Sequence, residues 1–220
     1  MIHRRFDAVL FDLDGTLLDT APDFTTAINC VLAERGLEPQ PEARVRRAVT
    51  NGSAGLVAST FAIGSEHPDF EPLRQRLLHH YRQCLTQHTR LFNGLDTVLA
   101  ELATRQIPWG IVTNKPLQYT TPILAQLHFP SAPAAVICPD HVIRTKPDPE
   151  SILLACRELH VAPERAIYVG DHLRDIEAGR NAGATTVAAT WGYLSEDEDP
   201  QAWGADHLVN NALELTDLLF

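Results

Sequence analysis

The sequence predicts an α/β protein, with a doubly wound, mostly parallel sheet and an inserted all-helical subdomain. Three patterns predict it. From residue 94 onward, short apolar, β-branched runs alternate with amphipathic helical segments. One further apolar run stands alone near the N-terminus. Between them, over residues 22–88, helical periodicity recurs and no strand pattern does.

The run Phe6–Phe11 (F-D-A-V-L-F) reads as a buried strand ending at Asp12, and Gly15 permits a sharp turn beyond it. Phe24, Ala27, Ile28, Val31 and Leu32 follow the i, i+3, i+4, i+7, i+8 spacing of an amphipathic helix, with Gly36 as its C-cap. Helical patterns resume over 42–49, 54–62 and 70–85, so Asn51–Gly55 reads as a Gly-rich loop between helices. After Gly94 come a helix over 95–105, a strand over 107–113, a helix after Pro116 and a strand over 134–138. A helix from Pro149 to His160, a strand over 165–169, a helix over 175–182 stopped by Gly183, and a strand over 185–189 complete the rhythm. Repeated βαβ units of this kind imply a Rossmann-like sheet with helices on both faces. The domain reading is a core of residues 1–18 and 89–220 and a helical cap of residues 19–88. The acidic stretch Ser195–Asp199 reads as a solvated loop.

Composition narrows the function classes. A chain of 220 residues can build one substantial core and a smaller subdomain. Its net charge of −10 argues against nucleic-acid and anionic-membrane partners, which require a basic footprint. No stretch approaches the roughly 20 apolar residues of a membrane span. The N-terminal apolar run is short and ends in acid residues, unlike a secretory leader. Cys30, Cys84, Cys138 and Cys156 are scattered without a C-x-x-C pair, the usage expected of free thiols in a reducing cytoplasm. Of 18 basic residues only Lys115 and Lys146 are lysines, which suggests that a compact point charge is wanted at those two places.

Ligands of open α/β sheets bind beyond the carboxyl ends of the strands. Asp12 and Asp14 follow the first predicted strand, and Thr113, Asn114 and Lys115 follow the next. Asp171 follows the strand over 165–169, with Asp175 four positions on, and Lys146 lies in the loop after residues 134–138. Four carboxylates, a hydroxyl and two ammonium groups thus converge on one edge. Carboxylates so close repel and raise one another's pKa values unless a hard cation sits among them, and oxygen-only ligands favour Mg²⁺. A carboxylate nucleophile, Mg²⁺ and lysine together suit phosphoryl transfer.

Four motifs, D-L-D-G-T at 12–16, T-N-K at 113–115, T-K-P-D-P at 145–149 and G-D-H-L-R-D at 170–175, resemble in order and spacing those of haloacid dehalogenase-like phosphatases. The resemblance covers essentially the whole chain. It implies that Asp12 attacks phosphorus to form an aspartyl-phosphate, and that Asp14 protonates the leaving alcohol and then activates water. It implies phosphoryl contacts from Thr113 and the backbone at Asn114, charge balance from Lys146, and Mg²⁺ between Asp12, the Asp14 carbonyl and Asp171, with Asp175 as ligand or support. The inserted helices resemble the small cap of this family's first cap type. Asn51 and Gly52, with Arg46 and Arg47 nearby, are then candidate substrate contacts, as is Lys115.

Other chemistries of the family fit less well. Dehalogenases lack the second aspartate that Asp14 supplies, and phosphonatases need a cap lysine where residues 1–114 contain none. A β-phosphoglucomutase-type mutase keeps the same core motifs and is a lesser alternative. Several segments (D-T-A-P-D-F at 19–24, C-P-D-H-V at 138–142, K-P-D-P-E at 146–150, D-I-E-A-G-R at 175–180, W-G-A-D at 203–206) resemble phosphoglycolate phosphatases generally. They resemble bacterial N-acetylmuramic acid 6-phosphate phosphatases more closely. The resemblance implies a small phosphorylated metabolite as partner, a cytoplasmic setting in peptidoglycan recycling, and a monomer or homodimer. The histidines at 79, 80, 88, 128, 141, 160 and 207 show no metal-ligand spacing; the role of His172, next to Asp171, is left open.

Overall fold

The computed structural model describes residues 5–195 and 198–220. In chain order its elements are β1 (Ala8–Phe11), β2 (Leu18–Asp19), α1 (Ala21–Glu34), α2 (Glu42–Val49), α3 (Gly52–Phe61), α4 (Phe70–Cys84), β3 (Arg90–Leu91), α5 (Leu95–Thr104), β4 (Trp109–Val112), α6 (Leu117–Gln126), β5 (Ala135–Ile137), α7 (Glu150–Leu159), β6 (Ala166–Gly170), α8 (Leu173–Ala182), β7 (Thr185–Ala189), β8 (His207–Val209) and α9 (Glu214–Leu219). Six strands form one sheet in the order β5-β4-β1-β6-β7-β8, and every pairing in it is parallel. The chain runs outward from β1 to β5 on one side and from β6 to β8 on the other. The strand order therefore reverses at β1, where a ligand crevice opens in such sheets.

Alternation along each strand supplies both faces. Val9, Phe11, Ile111, Ile167 and Val169 pack with Leu95, Leu99 and Leu102 of α5 and Leu215 of α9. Leu10, Val112 and Tyr168 pack against Ile152 and Ala155 of α7 and Ala178 of α8. Both faces being covered, these strands read as continuous apolar runs.

Helices α1–α4 bury an apolar cluster of their own, built on Phe24, Ile28, Val31, Leu56, Leu73, Leu77 and Tyr81. Tyr119 and Tyr193 from the sheet domain join it, which seats the helices above the sheet's carboxyl edge. The chain leaves and re-enters through a two-strand antiparallel pair, Leu18 opposite Leu91 and Asp19 opposite Arg90. Fully buried Asp23 clamps this base: the backbone N–H groups of His88 (2.8 Å) and Thr89 (3.0 Å) and the Thr89 hydroxyl (2.6 Å) all donate to its carboxylate.

Several boundaries differ from the sequence reading. α3 starts at Gly52, not residue 54, so the expected Asn51–Gly55 loop is a tight corner at Thr50-Asn51 followed by the helix's first turn. Gly52 turns that corner at φ +65°, a conformation that costs glycine little. α8 starts at Leu173 instead of Asp175, because His172 and Asp175 cap it reciprocally. β2, β3, β8 and α9 are too short to leave a periodic signal. In the acidic stretch, Glu196 and Asp197 lie outside the described residues; Ser195 is half-buried and donates its N–H and hydroxyl to Glu198. All four cysteines are free. No helix among the described residues is long and apolar enough to cross a membrane.

Candidate active site

Parallel strands end together, so the residues after them meet. Asp12 and Asp14 leave β1, Thr113 to Lys115 leave β4, and Asp171 leaves β6. Asp175 comes in from the first turn of α8. Carboxylate oxygens of Asp12, Asp171 and Asp175 lie within 4.8 Å of one another. Lys146 reaches the cluster from the loop after β5. Its Nζ lies 2.9 Å from Asp12 Oδ1 and 2.6 Å from Asp175 Oδ1, and it donates to Tyr168 Oη (2.7 Å) and the Val112 carbonyl (3.1 Å). Burial opposes the Lys146 ammonium, but the charges of Asp12 and Asp175 outweigh it and raise its pKa above the ordinary lysine value.

The carboxylates are under the opposite stress. Burial pushes Asp12 up to about 6, Lys146 offsetting part of the effect while Asp175 and Asp14 add to it. Burial, then the charges of Asp12 and Asp175, pushes Asp171 up to about 8. Asp171 is nonetheless built to hold a charge, accepting from the Thr16 hydroxyl (2.7 Å) and the Tyr193 N–H (2.9 Å). Gly15 and Gly192 make room for it, since a Cβ on either would stand 2.1 Å from Asp171 Oδ2 or 2.3 Å from Asp171 Cβ. Asp12 Oδ1 is buried and no donor is well aligned on it; the Lys146 ammonium, 2.9 Å away, attracts it by charge and by a poorly directed hydrogen bond. An all-oxygen set with too much negative charge and an unsatisfied buried oxygen fits a hard divalent cation such as Mg²⁺.

Asp14 stands apart from that cluster. Its carboxylate accepts from Lys115 Nζ (2.9 and 3.1 Å) and from the Thr20 hydroxyl (2.6 Å). The Asn114 side chain clamps the Lys146 backbone in both directions, donating to its carbonyl at 3.1 Å and accepting from its N–H at 3.2 Å. The Thr113 hydroxyl accepts from the Lys115 N–H at 3.1 Å.

A cavity of 860 Å³ lies between these residues and the helical insertion. Asp12, Asp14, Thr113, Asn114, Lys146 and Asp171 line its floor; Asn51, Gly52, Ser53, Arg74, His79 and Arg82 line its roof. Of the sequence candidates, Arg47 does not line the cavity in this structure; its exposed side chain donates back to the Ala43 carbonyl of α2. Arg46 turns to the base of the insertion, where it forks onto both Asp19 oxygens at 2.9 Å. Lys115 lines the cavity but spends its ammonium on Asp14 and Tyr81.

His172 gains a definite place. Its ring Nδ1 accepts from the Arg174 N–H (3.1 Å) and its own N–H donates to Asp175 (3.1 Å), so it caps α8 while lining the cavity. Burial, then Arg174, lowers its pKa, in keeping with a neutral ring accepting at Nδ1. Tyr81, Arg74 and Arg174 escaped the sequence reading. Tyr81 falls on the apolar stripe of an amphipathic helix and reads there as core. Arg174 sits inside the G-D-H-L-R-D motif, which could have marked it; it donates to the Thr50 carbonyl across the cavity mouth.

Comparison with known proteins agrees with this geometry. The family model for haloacid dehalogenase-like hydrolases matches residues 9–189. The chain is 44% identical over 219 residues to the N-acetylmuramic acid 6-phosphate phosphatase of Pseudomonas aeruginosa, covering 100% of this chain and 97% of that one. It is 42% identical over 211 residues to the phosphoglycolate phosphatase of Xanthomonas campestris pv. campestris, covering 94% of each. Among solved structures, a "predicted phosphoglycolate phosphatase" from Haemophilus somnus 129PT superposes with a TM-score of 0.84 over 98% of this chain and 99% of its own, at 23% identity.

Proposed function

The chain belongs to the haloacid dehalogenase-like hydrolases, and we propose that within them it is a Mg²⁺-dependent phosphomonoesterase acting on N-acetylmuramic acid 6-phosphate in cytoplasmic cell-wall recycling. The observation that carries the reaction class is the placement of Asp12 beside Lys146 and Asp171, with Asp14 held separately across the cavity floor. Mg²⁺ would be held by Asp12, Asp171 and the Asp14 backbone carbonyl; when bound it supplies positive charge against the phosphoryl oxygens. Asp175, already committed to Lys146, supports the cluster from behind.

The chain's own groups then divide the work. Asp12 attacks phosphorus, an Asp12 oxygen–phosphorus bond forms, and the bond to the ester oxygen breaks. Asp14 enters this step as the acid, carrying the proton that it takes from water in the second step of each turnover, and gives it to the departing alkoxide. Asp14 next takes a proton from water as that water attacks phosphorus, which frees Asp12 and releases inorganic phosphate. The Thr113 hydroxyl and the Asn114 N–H contact phosphoryl oxygens, and Lys146 keeps Asp12 oriented. The helices α1–α4, acting as a cap, exclude water from the closed site.

The substrate assignment is supported by the 44% identity to the Pseudomonas aeruginosa enzyme and by a cavity of 860 Å³, spacious for a sugar phosphate. Phosphoglycolate is the second reading, favoured by the 42% identity to the Xanthomonas enzyme. Phosphate release from the two esters, compared by kcat/KM with Mg²⁺, tests both. A preference of about 10²-fold for the amino sugar, or about 2.7 kcal/mol of transition-state binding, is expected. The reverse preference would replace the assignment, and turnover unaffected by EDTA would remove the metal from it.

A further inference from the structure

We propose that Lys115 is a positioning residue: it fixes the Asp14 carboxylate, and the Tyr81 hydroxyl of the cap fixes Lys115 in turn, so that the acid–base group is set when the cap is docked. The inference rests on the phosphomonoesterase reading for the role of Asp14, and on geometry for the rest.

Lys115 Nζ donates to Asp14 Oδ1 at 2.9 Å, Asp14 Oδ2 at 3.1 Å and Tyr81 Oη at 2.9 Å. An ammonium has three N–H bonds, and these contacts engage all three. With its side chain only 5% exposed, Lys115 has neither a spare donor nor room to swing toward a substrate. Its base is anchored as well, through the N–H donated to Thr113 Oγ1. The Thr20 hydroxyl grips Asp14 Oδ1 from the other side at 2.6 Å, so the carboxylate is held in one orientation.

Lys115 belongs to the sheet domain, but its surroundings belong to the cap. The ammonium lies 5.0 Å from the Phe24 ring centroid of α1 and 4.8 Å from that of Tyr81 in α4. Those two rings stack on each other at 3.9 Å. The slot is thus made by two cap helices at once, and an ammonium over an aromatic face is attracted to it. Burial raises the Tyr81 pKa well above the ordinary phenol value, so its hydroxyl stays neutral beside the cation. Withdrawal of the cap would strip Lys115 of the Tyr81 hydroxyl and of both rings, leaving Asp14 tethered by a lysine free to change rotamer.

The test exploits leaving groups. kcat/KM spans every step through cleavage of the ester bond; an alkoxide needs the proton of Asp14 to leave, whereas p-nitrophenolate leaves without one. Lys115→Met is expected to lower kcat/KM about 10²-fold on N-acetylmuramic acid 6-phosphate and phosphoglycolate, and less than about 5-fold on p-nitrophenyl phosphate. In an Asp14→Asn background the same substitution should add no further loss, because Lys115 acts through Asp14. Tyr81→Phe, which keeps the stacked ring and covers the case in which Lys115→Met fails to fold, should lower the alkyl esters about 10-fold with the same selectivity.

Equal losses on aryl and alkyl esters, or additive losses in the Asp14→Asn background, would make Lys115 a substrate ligand and overturn the proposal. A readout independent of turnover comes from the chain having only two lysines. Acetylation by an N-hydroxysuccinimide ester, mapped by mass spectrometry, should modify Lys115 slowly in the wild type and faster in Tyr81→Phe. Equal rates would overturn the part played by the cap. Should wild-type protein with Mg²⁺ hydrolyse none of the esters, the phosphomonoesterase reading falls, while the acetylation rates still decide whether Tyr81 fixes Lys115.

Discussion

Lys146 Nζ lies 2.6 Å from Asp175 Oδ1, and both side chains are 1% exposed. A pair so deeply buried is stable only because both members are also hydrogen-bonded, Lys146 by Tyr168 and Val112 and Asp175 by the His172 N–H. Removing one member leaves the other uncompensated. Asp175→Ala should therefore cost about 3–5 kcal/mol in urea unfolding. A loss below about 1 kcal/mol would mean that Asp12 alone satisfies Lys146.

Asp12→Asn should abolish phosphate release while leaving the protein folded. The amide removes a buried carboxylate whose pKa is pushed up to about 6. In EDTA at pH 8 its melting temperature should accordingly equal or exceed that of the wild type. Appreciable turnover in this variant would sink the nucleophile assignment.

Without metal, stability should fall as pH rises from about 4 to about 8. Asp12 and Asp171 hold protons up to about 6 and about 8 when folded, but only to about 3.8 when unfolded. Over that window the folded state binds more protons, so raising the pH favours unfolding. Added Mg²⁺ stabilises the deprotonated cluster, and the rise in melting temperature that it causes should grow across the same window. Calorimetry at pH 5 and pH 8, with EDTA or MgCl₂, reads both effects; a Mg²⁺ shift independent of pH would contradict them. Asp171→Asn should flatten the metal-free profile.

Gly192→Ala should abolish the thermal shift caused by Mg²⁺. Its Cβ would stand 2.3 Å from Asp171 Cβ and 2.5 Å from the Gly15 carbonyl, so Asp171 must move. Isothermal titration calorimetry checks the loss of binding, and unchanged Mg²⁺ affinity would show that Asp171 is not a ligand.

Arg174→Ala removes the bond from α8 to the Thr50 carbonyl, which joins the two walls of the cavity mouth. KM for the amino sugar phosphate should rise about 10-fold, with a smaller change for phosphoglycolate. Equal changes would count against a part in shaping the site for the larger ester.

The core of the site was legible because Asp12, Asp14, Thr113 and Asp171 closely follow strands and Lys146 lies in the loop after another, and parallel strands bring their ends together wherever the intervening helices lie. That rule gathered Asp12, Asp14, Asp171 and Lys146 at one edge, and the resemblance of their four motifs to the family implied what each does. The cap candidates were less legible. Arg47 and Asn51 are four residues apart, but α2 ends at Val49 and Asn51 stands in the corner that opens α3, so they share no helix face; Asn51 lines the cavity while Arg47 folds back onto the Ala43 carbonyl. Tyr81 shows the converse: an aromatic on an apolar stripe reads as core, and its hydroxyl contact to Lys115 joins residues 34 positions apart.

Local chemistry and periodicity determined, from the sequence alone, the order of the longer elements, the mostly parallel sheet, the inserted helices and the residues gathered at the strand ends. Tertiary structure decided how those residues divide their bonds. Lys146 serves Asp12 and Asp175, Lys115 serves Asp14 and Tyr81, and His172 caps a helix. The physical reason is that an ammonium or a carboxylate has more candidate partners than bonds to make. Only the packing of the helices above the sheet selects which of them lie within 3 Å or so.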